Sequence, residues 1–317
     1  MNGSFIKRTL CAATILVAHA AFGADAELLT QLESKDSAVS LAAAQKLAAS
    51  RSKLPKAAIS PVISFVRKSA SETADRRANK VKGPAKAVPF VGDETNLIRV
   101  KAEPRDYLDK EIQLSGSLSI GSYFGYGYRG SEETHYSLAF QPVNETAEFK
   151  RGESCIIYAD RQVASTLAEA ITYRQEKDFD GMLVRVKVVL LSTRAKDLSS
   201  TWNMLELRDW QFPSEDGKSW GPWSVERAVL VKQLVSKLPS DSGPAIADII
   251  LAGGDASGTA VHVVLLNHLM TLPRGSRQAI AKKVKQTAAK SIDAETERRA
   301  GYLADALDPR ASGRDKE

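Results

Sequence analysis

The middle of the chain alternates apolar and polar positions with a period of two, and the segments on either side repeat with a helical period. In residues 112–120, Ile112, Leu114, Leu118 and Ile120 share one face, and Gln113, Ser115, Ser117 and Ser119 share the other. Gly116 falls on the apolar face, where a barrel strand often bends. Further strands are expected at His135–Phe140, Ser154–Ala159, Leu183–Leu191 and Trp202–Trp210. In the fourth, Val184, Val186, Val188 and Leu190 point one way and Arg185 and Lys187 the other; in the fifth, Leu205 and Leu207 point inward. Between the third and fourth strands, Val163, Leu167, Ala170 and Ile171 recur at helical spacing, with Asp160 placed to cap that helix.

The flanks read as helices. Residues 25–68 hold Leu28, Leu29 and Leu32 in a first helix. Val39, Leu41, Ala44 and Leu47 follow in a second, which Ser37 can cap. Ile59, Val62, Ile63 and Val66 form the buried side of a third, punctuated by Pro55 and Pro61. Residues 69–95 carry Gly83, Pro84 and Pro89 among basic residues and read as a linker. Helices resume over 224–307. Ser224 can cap one bearing Val225, Val229, Val231, Leu234, Val235 and Leu238, and Pro244 suits the first turn of the next. Residues 308–317 are a polar tail.

Strand, strand, strand, helix, strand, strand over 96–213 is the element order of an OB-fold. The segment resembles the OB-like domains of exported bacterial proteins. Tyr107 to Gly116, the intervening helix and Gly181 to Leu191 carry that resemblance, which covers about a third of the chain. The run Asp36 to Leu47 resembles the first half of a HEAT-type helical repeat. The fold class expected is therefore α+β: a central five-stranded OB-like β-barrel with an N-terminal helical hairpin and a C-terminal helical bundle.

Residues 1–24 change the picture of where the protein works. Lys7 and Arg8 precede an apolar run from Leu10 to Ala21, and small residues follow, as in a secretory signal peptide. The run is about a dozen residues, short of the roughly 20 that span a bilayer. Removing the segment takes the net charge from +6 to +4. It also leaves Cys155 as the mature chain's one cysteine, so hydrophobic burial rather than an internal disulfide must hold the fold. The expected localisation is periplasmic or extracellular, and no later stretch reads as a transmembrane helix.

Few residues suggest chemistry. The mature chain has His135, His262 and His268, with no HExxH or CxxC spacing, so no metal or other cofactor is expected. No GxSxG or SxxK motif marks a nucleophile. Gly125 to Gly130 fits GxGxxG loosely, but the run does not open a helix. The same loop holds Tyr123, Phe124, Tyr126, Tyr128 and Arg129 among glycines, a composition suited to stacking on a ligand at an OB-type binding face. Trp202, Trp210, Trp220 and Trp223 cluster where the last strand meets the C-terminal helices and read as packing between the two. A second candidate is a basic run, Arg274, Arg277, Lys282, Lys283, Lys285 and Lys290, in a stretch from Ala256 to Ile292 without an acid.

The sequence thus points to an exported, non-enzymatic binding or scaffold protein built on an OB-like barrel, with a protein or polyanion as partner. A polyanion binder is one alternative, with nucleic acid disfavoured by export. An envelope hydrolase or transferase whose site forms only in three dimensions is the other. Export has a direct test. Mass spectrometry of the protein from its native host should find an N-terminus between Ala21 and Ala26, whereas a mature chain beginning at Met1 would overturn the expectation.

Overall fold

The computed structural model describes residues 26–73, 97–120, 135–142, 155–160, 182–192, 204–213, 219–252, 260–290 and 293–309. Five strands close into a barrel: β1 (Glu111–Ile120), β2 (His135–Pro142), β3 (Cys155–Asp160), β4 (Met182–Ser192) and β5 (Met204–Gln211), in the order β1-β2-β3-β5-β4. All neighbours are antiparallel except β3 and β5, which run parallel. That mixed, closed, five-stranded arrangement is OB-like. The helix expected between β3 and β4 lies outside the described residues.

The alternation explains the barrel core. Ile112, Leu114 and Leu118 meet Leu138, Phe140 and Ile157, and β4 sends in Val184, Val186, Val188 and Leu190, all buried. Gly116 is required by close approach: a Cβ there would lie 2.6 Å from the Phe140 ring and would also collide with the Gln141 carbonyl oxygen.

Two short elements that the alternation did not announce precede β1. Helix α1 spans 26–32, α2 is Ser37–Ala49, α3 is Ile59–Glu72 and α4 is Leu97–Ala102, followed by a 3-10 turn at Pro104–Tyr107. Leu97 and Val100 of α4 are buried in the barrel core. Residues 69–72, expected to open the linker, belong to α3, which continues to Glu72 and buries Ser69 and Ala70, and residues 74–95 of the expected linker lie outside the described residues.

The C-terminal part comprises α5 (Ser224–Val235), α6 (Gly243–Ala252), α7 (Ala260–Thr271), α8 (Arg274–Ala288) and α9 (Ala294–Leu307). The two helical flanks form one core. Leu47, Val62, Phe65 and Val66 from the N-terminal side pack in the same cluster as Val231, Leu234, Ile246, Leu265, Ile280 and Leu303. Lys237, just beyond α5, clamps the pair. Its Nζ donates to the carbonyl oxygens of Leu47 at 2.8 Å and of Ala48 at 2.6 Å, at the C-terminal end of α2, and to that of Ser50 just beyond it. The barrel is therefore inserted between two halves of a single helical unit.

Two of the expected caps fall elsewhere. Asp36, one residue before Ser37, caps α2 by accepting the N–H of Ala38 at 2.8 Å and of Val39 at 3.4 Å. Ser224 is the first residue of α5 and makes no capping bond.

Leu114→Ala should cost about 2–5 kcal/mol, as large-to-small core changes do. Gly116→Ala should be at least as damaging, because a backbone carbonyl cannot move aside. Urea unfolding of the protein checks both, and a Gly116→Ala variant as stable as wild type would overturn the close-packing account.

Candidate functional site

The site is built around a slip in β5. Lys187 of β4 pairs with Asp209, yet the next residue, Val188, pairs with Leu207, so Arg208 is an extra residue, a β-bulge. The bulge reverses the phase of the strand. Leu205 and Leu207 point into the barrel before it, and Trp210 and Phe212 do so after it. Asp209 is thereby turned outward, toward the start of α5.

There Asp209 does what Ser224 does not. Its Oδ1 accepts the N–H of Val225 at 2.7 Å, and its Oδ2 accepts that of Glu226 at 3.0 Å. Oδ1 also accepts the N–H of Trp210 at 2.7 Å. A carboxylate from the barrel thus satisfies the orphan donors of a helix in the other unit. Asp209 is only 4 % exposed. Burial pushes its carboxyl up, to about 6, against the pull of those N–H donors and with the help of the nearby Glu226 charge.

The other outward residues of β4 complete the junction. Lys187 Nζ lies 2.5 Å from Glu226 and 4.4 Å from the centre of the Trp223 ring. Arg185 is buried beneath Trp220, 6.0 Å from its ring centre. Gln211 Nε2 donates to the Gly221 carbonyl oxygen at 2.7 Å, and the Gly221 N–H returns a bond to Phe212 at 2.7 Å. A Cβ on Gly221 would lie 3.1 Å from the carbonyl oxygen of Glu72, so the segment after the barrel also presses on the end of α3.

A groove of about 860 Å³ runs along this junction. α2 presents Ser37, Leu41 and Gln45, four residues apart and so on one face, while α3 adds Lys68, Ser71 and Glu72. α5 supplies Glu226, Arg227, Val229, Leu230 and Gln233, and Pro213, Trp220, Gly221, Pro222 and Trp223 complete the lining. Val229 is 49 % exposed, unusual for a valine in mid-helix. The ionic groups are paired among themselves. Arg227 sits 3.1 Å from Glu72, 3.2 Å from the Ser69 hydroxyl and 5.5 Å from the centre of the Phe65 ring, and burial lowers its pKa. Lys68 donates to Ser37 at 3.1 Å and lies 3.8 Å from Glu72, and Glu226 is held by Lys187. Sequence reasoning placed the tryptophans here as packing. It missed the groove, because α2 and α5 are separated by the whole barrel.

No family model, curated protein or solved structure matches this chain. Its site must be read from geometry.

The tyrosine loop, with Tyr123, Phe124, Tyr126, Tyr128 and Arg129, lies outside the described residues, as does Trp202. The basic run falls on α8 and just beyond it. Lys283 is 3.3 Å from Asp248 of α6, and Lys285 is 3.7 Å from Asp305 of α9, so tertiary packing brings acids to a stretch that has none of its own. Arg274, Lys282 and Lys290 are exposed, and Arg277 is half-buried with its Nε lacking an acceptor among the described residues. Arg185 and Lys187, the cations of the barrel's outer face, are committed to the junction rather than open to a ligand.

Among the described residues no group of three or more His, Cys, Asp or Glu is arranged to hold a metal. His262 is buried and hydrogen-bonded to the backbone of Ile249. Burial, aided by the Arg299 charge, lowers its pKa to about 4, so it is a neutral core histidine at neutral pH. Burial also lowers the pKa of His268. Cys155 packs partly buried against the barrel core. No described helix is long and apolar enough to cross a membrane.

Asp209 gives a pH test with a definite sign. A carboxyl whose pKa is raised on folding contributes stability that is full below its unfolded pKa and is lost as pH rises through about 6. The stability advantage of wild type over Asp209→Asn should therefore shrink by about 2 to 3 kcal/mol between pH 4 and pH 7.5. Chemical denaturation of both proteins across that range measures it, and a difference that grows with pH would show that the cap holds a preferred anion instead.

Proposed function

We propose that the protein is an exported, non-enzymatic binding module whose working surface is the groove between α2, α3, α5 and the Trp220–Trp223 segment. The observation that carries this reading is the pairing of its ionic groups. Glu72 is engaged by Arg227 and Lys68, and Glu226 by Lys187. Among the described residues no histidine or cysteine lines the groove. General acid–base or nucleophilic work needs an uncommitted, poised group within reach of a substrate. An apolar concavity with a few polar groups suits recognition. The ligand class favoured is a peptide segment, because the aliphatic surface of Leu41 and Val229 suits apolar side chains.

A second reading, binding of a polyanion, draws on Arg274, Lys282 and Lys290. These are exposed on or beside α8 and make no ion pair among the described residues. One experiment separates the two. A displayed library of random dodecapeptides is panned on the mature chain and on Val229→Lys, a change at a half-exposed position that should leave the melting temperature nearly unaltered. The groove reading expects clones that bind wild type and lose at least roughly tenfold in affinity, about 1.4 kcal/mol, on the variant. Clones that do not discriminate would sink it. Retention on heparin that survives Val229→Lys but is lost with Lys282→Glu and Lys290→Glu would favour the polyanion.

A further inference from the structure

We infer that the groove takes a short, uncharged, proline-rich segment in the polyproline II conformation. The inference rests on the proposed binding role and names the occupant.

Charge comes first. Lys68 and Arg227 both pair with Glu72, and Glu226 pairs with Lys187 of β4, so each charge that lines the groove already has a partner. The Arg227–Glu72 pair is the shielded one, with side chains 11 % and 26 % exposed, so a charged ligand finds no unmatched partner there, and burying its own charge unpaired is costly. The occupant is therefore neutral.

Surface comes second. Trp220 and Trp223 line the groove together with Pro213 and Pro222, and Leu41 and Val229 add to its apolar surface. Indole and pyrrolidine surfaces are what proline-rich ligands dock against, and a polyproline II strand brings apolar rings already fixed in conformation, with little ordering entropy to lose. A neutral glycan would share the tryptophans but would set its hydroxyls against the aliphatic wall.

Hydrogen bonding comes third. The exposed polar groups left over include the side-chain amides of Gln45 and Gln233. Both residues line the groove and are exposed, and no hydrogen bond among the described residues engages either amide. An amide N–H can donate to a backbone carbonyl oxygen, and a polyproline II strand keeps its carbonyls free while its prolines bring no N–H that needs a partner. An α-helical occupant uses its carbonyls internally and would leave these amides unmatched.

Length agrees. Ser37, Leu41 and Gln45 span eight residues of helix, roughly 12 Å at 1.5 Å per residue. At 3.1 Å per residue a polyproline II strand covers that distance in about four residues, the span of one PxxP unit.

The test is fluorescence anisotropy with the full mature chain and four labelled probes: a blocked decaproline, a blocked Gly/Ser decapeptide, a neutral amphipathic helical dodecapeptide and a hexamer of N-acetylglucosamine. Decaproline should bind saturably and at least roughly tenfold more tightly than the Gly/Ser peptide. Its affinity should change less than about twofold between 0.05 and 0.5 M NaCl, because no charge is exchanged. Val229→Lys and the double variant Gln45→Ala, Gln233→Ala should each weaken it, with circular dichroism unchanged. Helix or glycan binding that is lost in Val229→Lys while decaproline fails would overturn the proline inference and leave the groove reading standing. Library clones specific for the groove, but without proline and alongside a silent decaproline, would do the same. No binding by any probe, together with no discriminating clone, would overturn both.

Discussion

The relation between barrel and helices depends on one buried carboxylate. Asp209 leaves β5, accepts the first free N–H groups of α5 and is nearly sealed from water. A helix start without a cap leaves backbone donors unsatisfied, and burying them unpaired is costly. α5 therefore cannot shift far from β5 without exposing or orphaning those groups. The bulge at Arg208 makes this possible: without the extra residue, Asp209 would face the barrel core and Trp210 would face α5.

What α5 fixes is larger than its own position. It lies in the common core of the N- and C-terminal helices, and Lys237 just beyond it caps α2. Lys56 and Asp241, 2.9 Å apart, join the same two segments at the surface, though an exposed pair of this kind adds little. The helical unit thus closes on itself around the insertion point of the barrel, and the junction has charge pairs, ring contacts and backbone bonds on the barrel side and an apolar core on the other.

The groove is a consequence of that seam. Helices α2 and α5 cannot mesh fully where the Trp220–Trp223 segment wedges against the end of α3, and Leu41 and Val229 are left partly uncovered. The cations and anions at the seam stabilise one another, which removes them from chemistry and leaves an apolar, amide-bearing concavity. The outer face of β4, an inviting basic surface on paper, is spent on holding the junction together.

Local pattern alone was enough for the elements. Alternation located the strands and their inward faces because a barrel strand has one buried side, and helical spacing located α1, α2, α3, α5 and α6 for the same reason. Proximity across the chain was not legible. Nothing near Ser224 reveals that Asp209 caps its helix, nothing in the basic run reveals Asp248 and Asp305, and the phase reversal at Arg208 breaks the very periodicity a reader relies on. Residues that lie far apart in sequence are brought together by core packing and strand register. The groove, whose walls come from both ends of the chain and from the end of the barrel, exists only after that packing is complete. The sequence by itself determined the kind of element and most of its apolar core face; the tertiary structure decided which residues meet, and so buried Arg185 and Asp209 at the junction and left Val229 exposed.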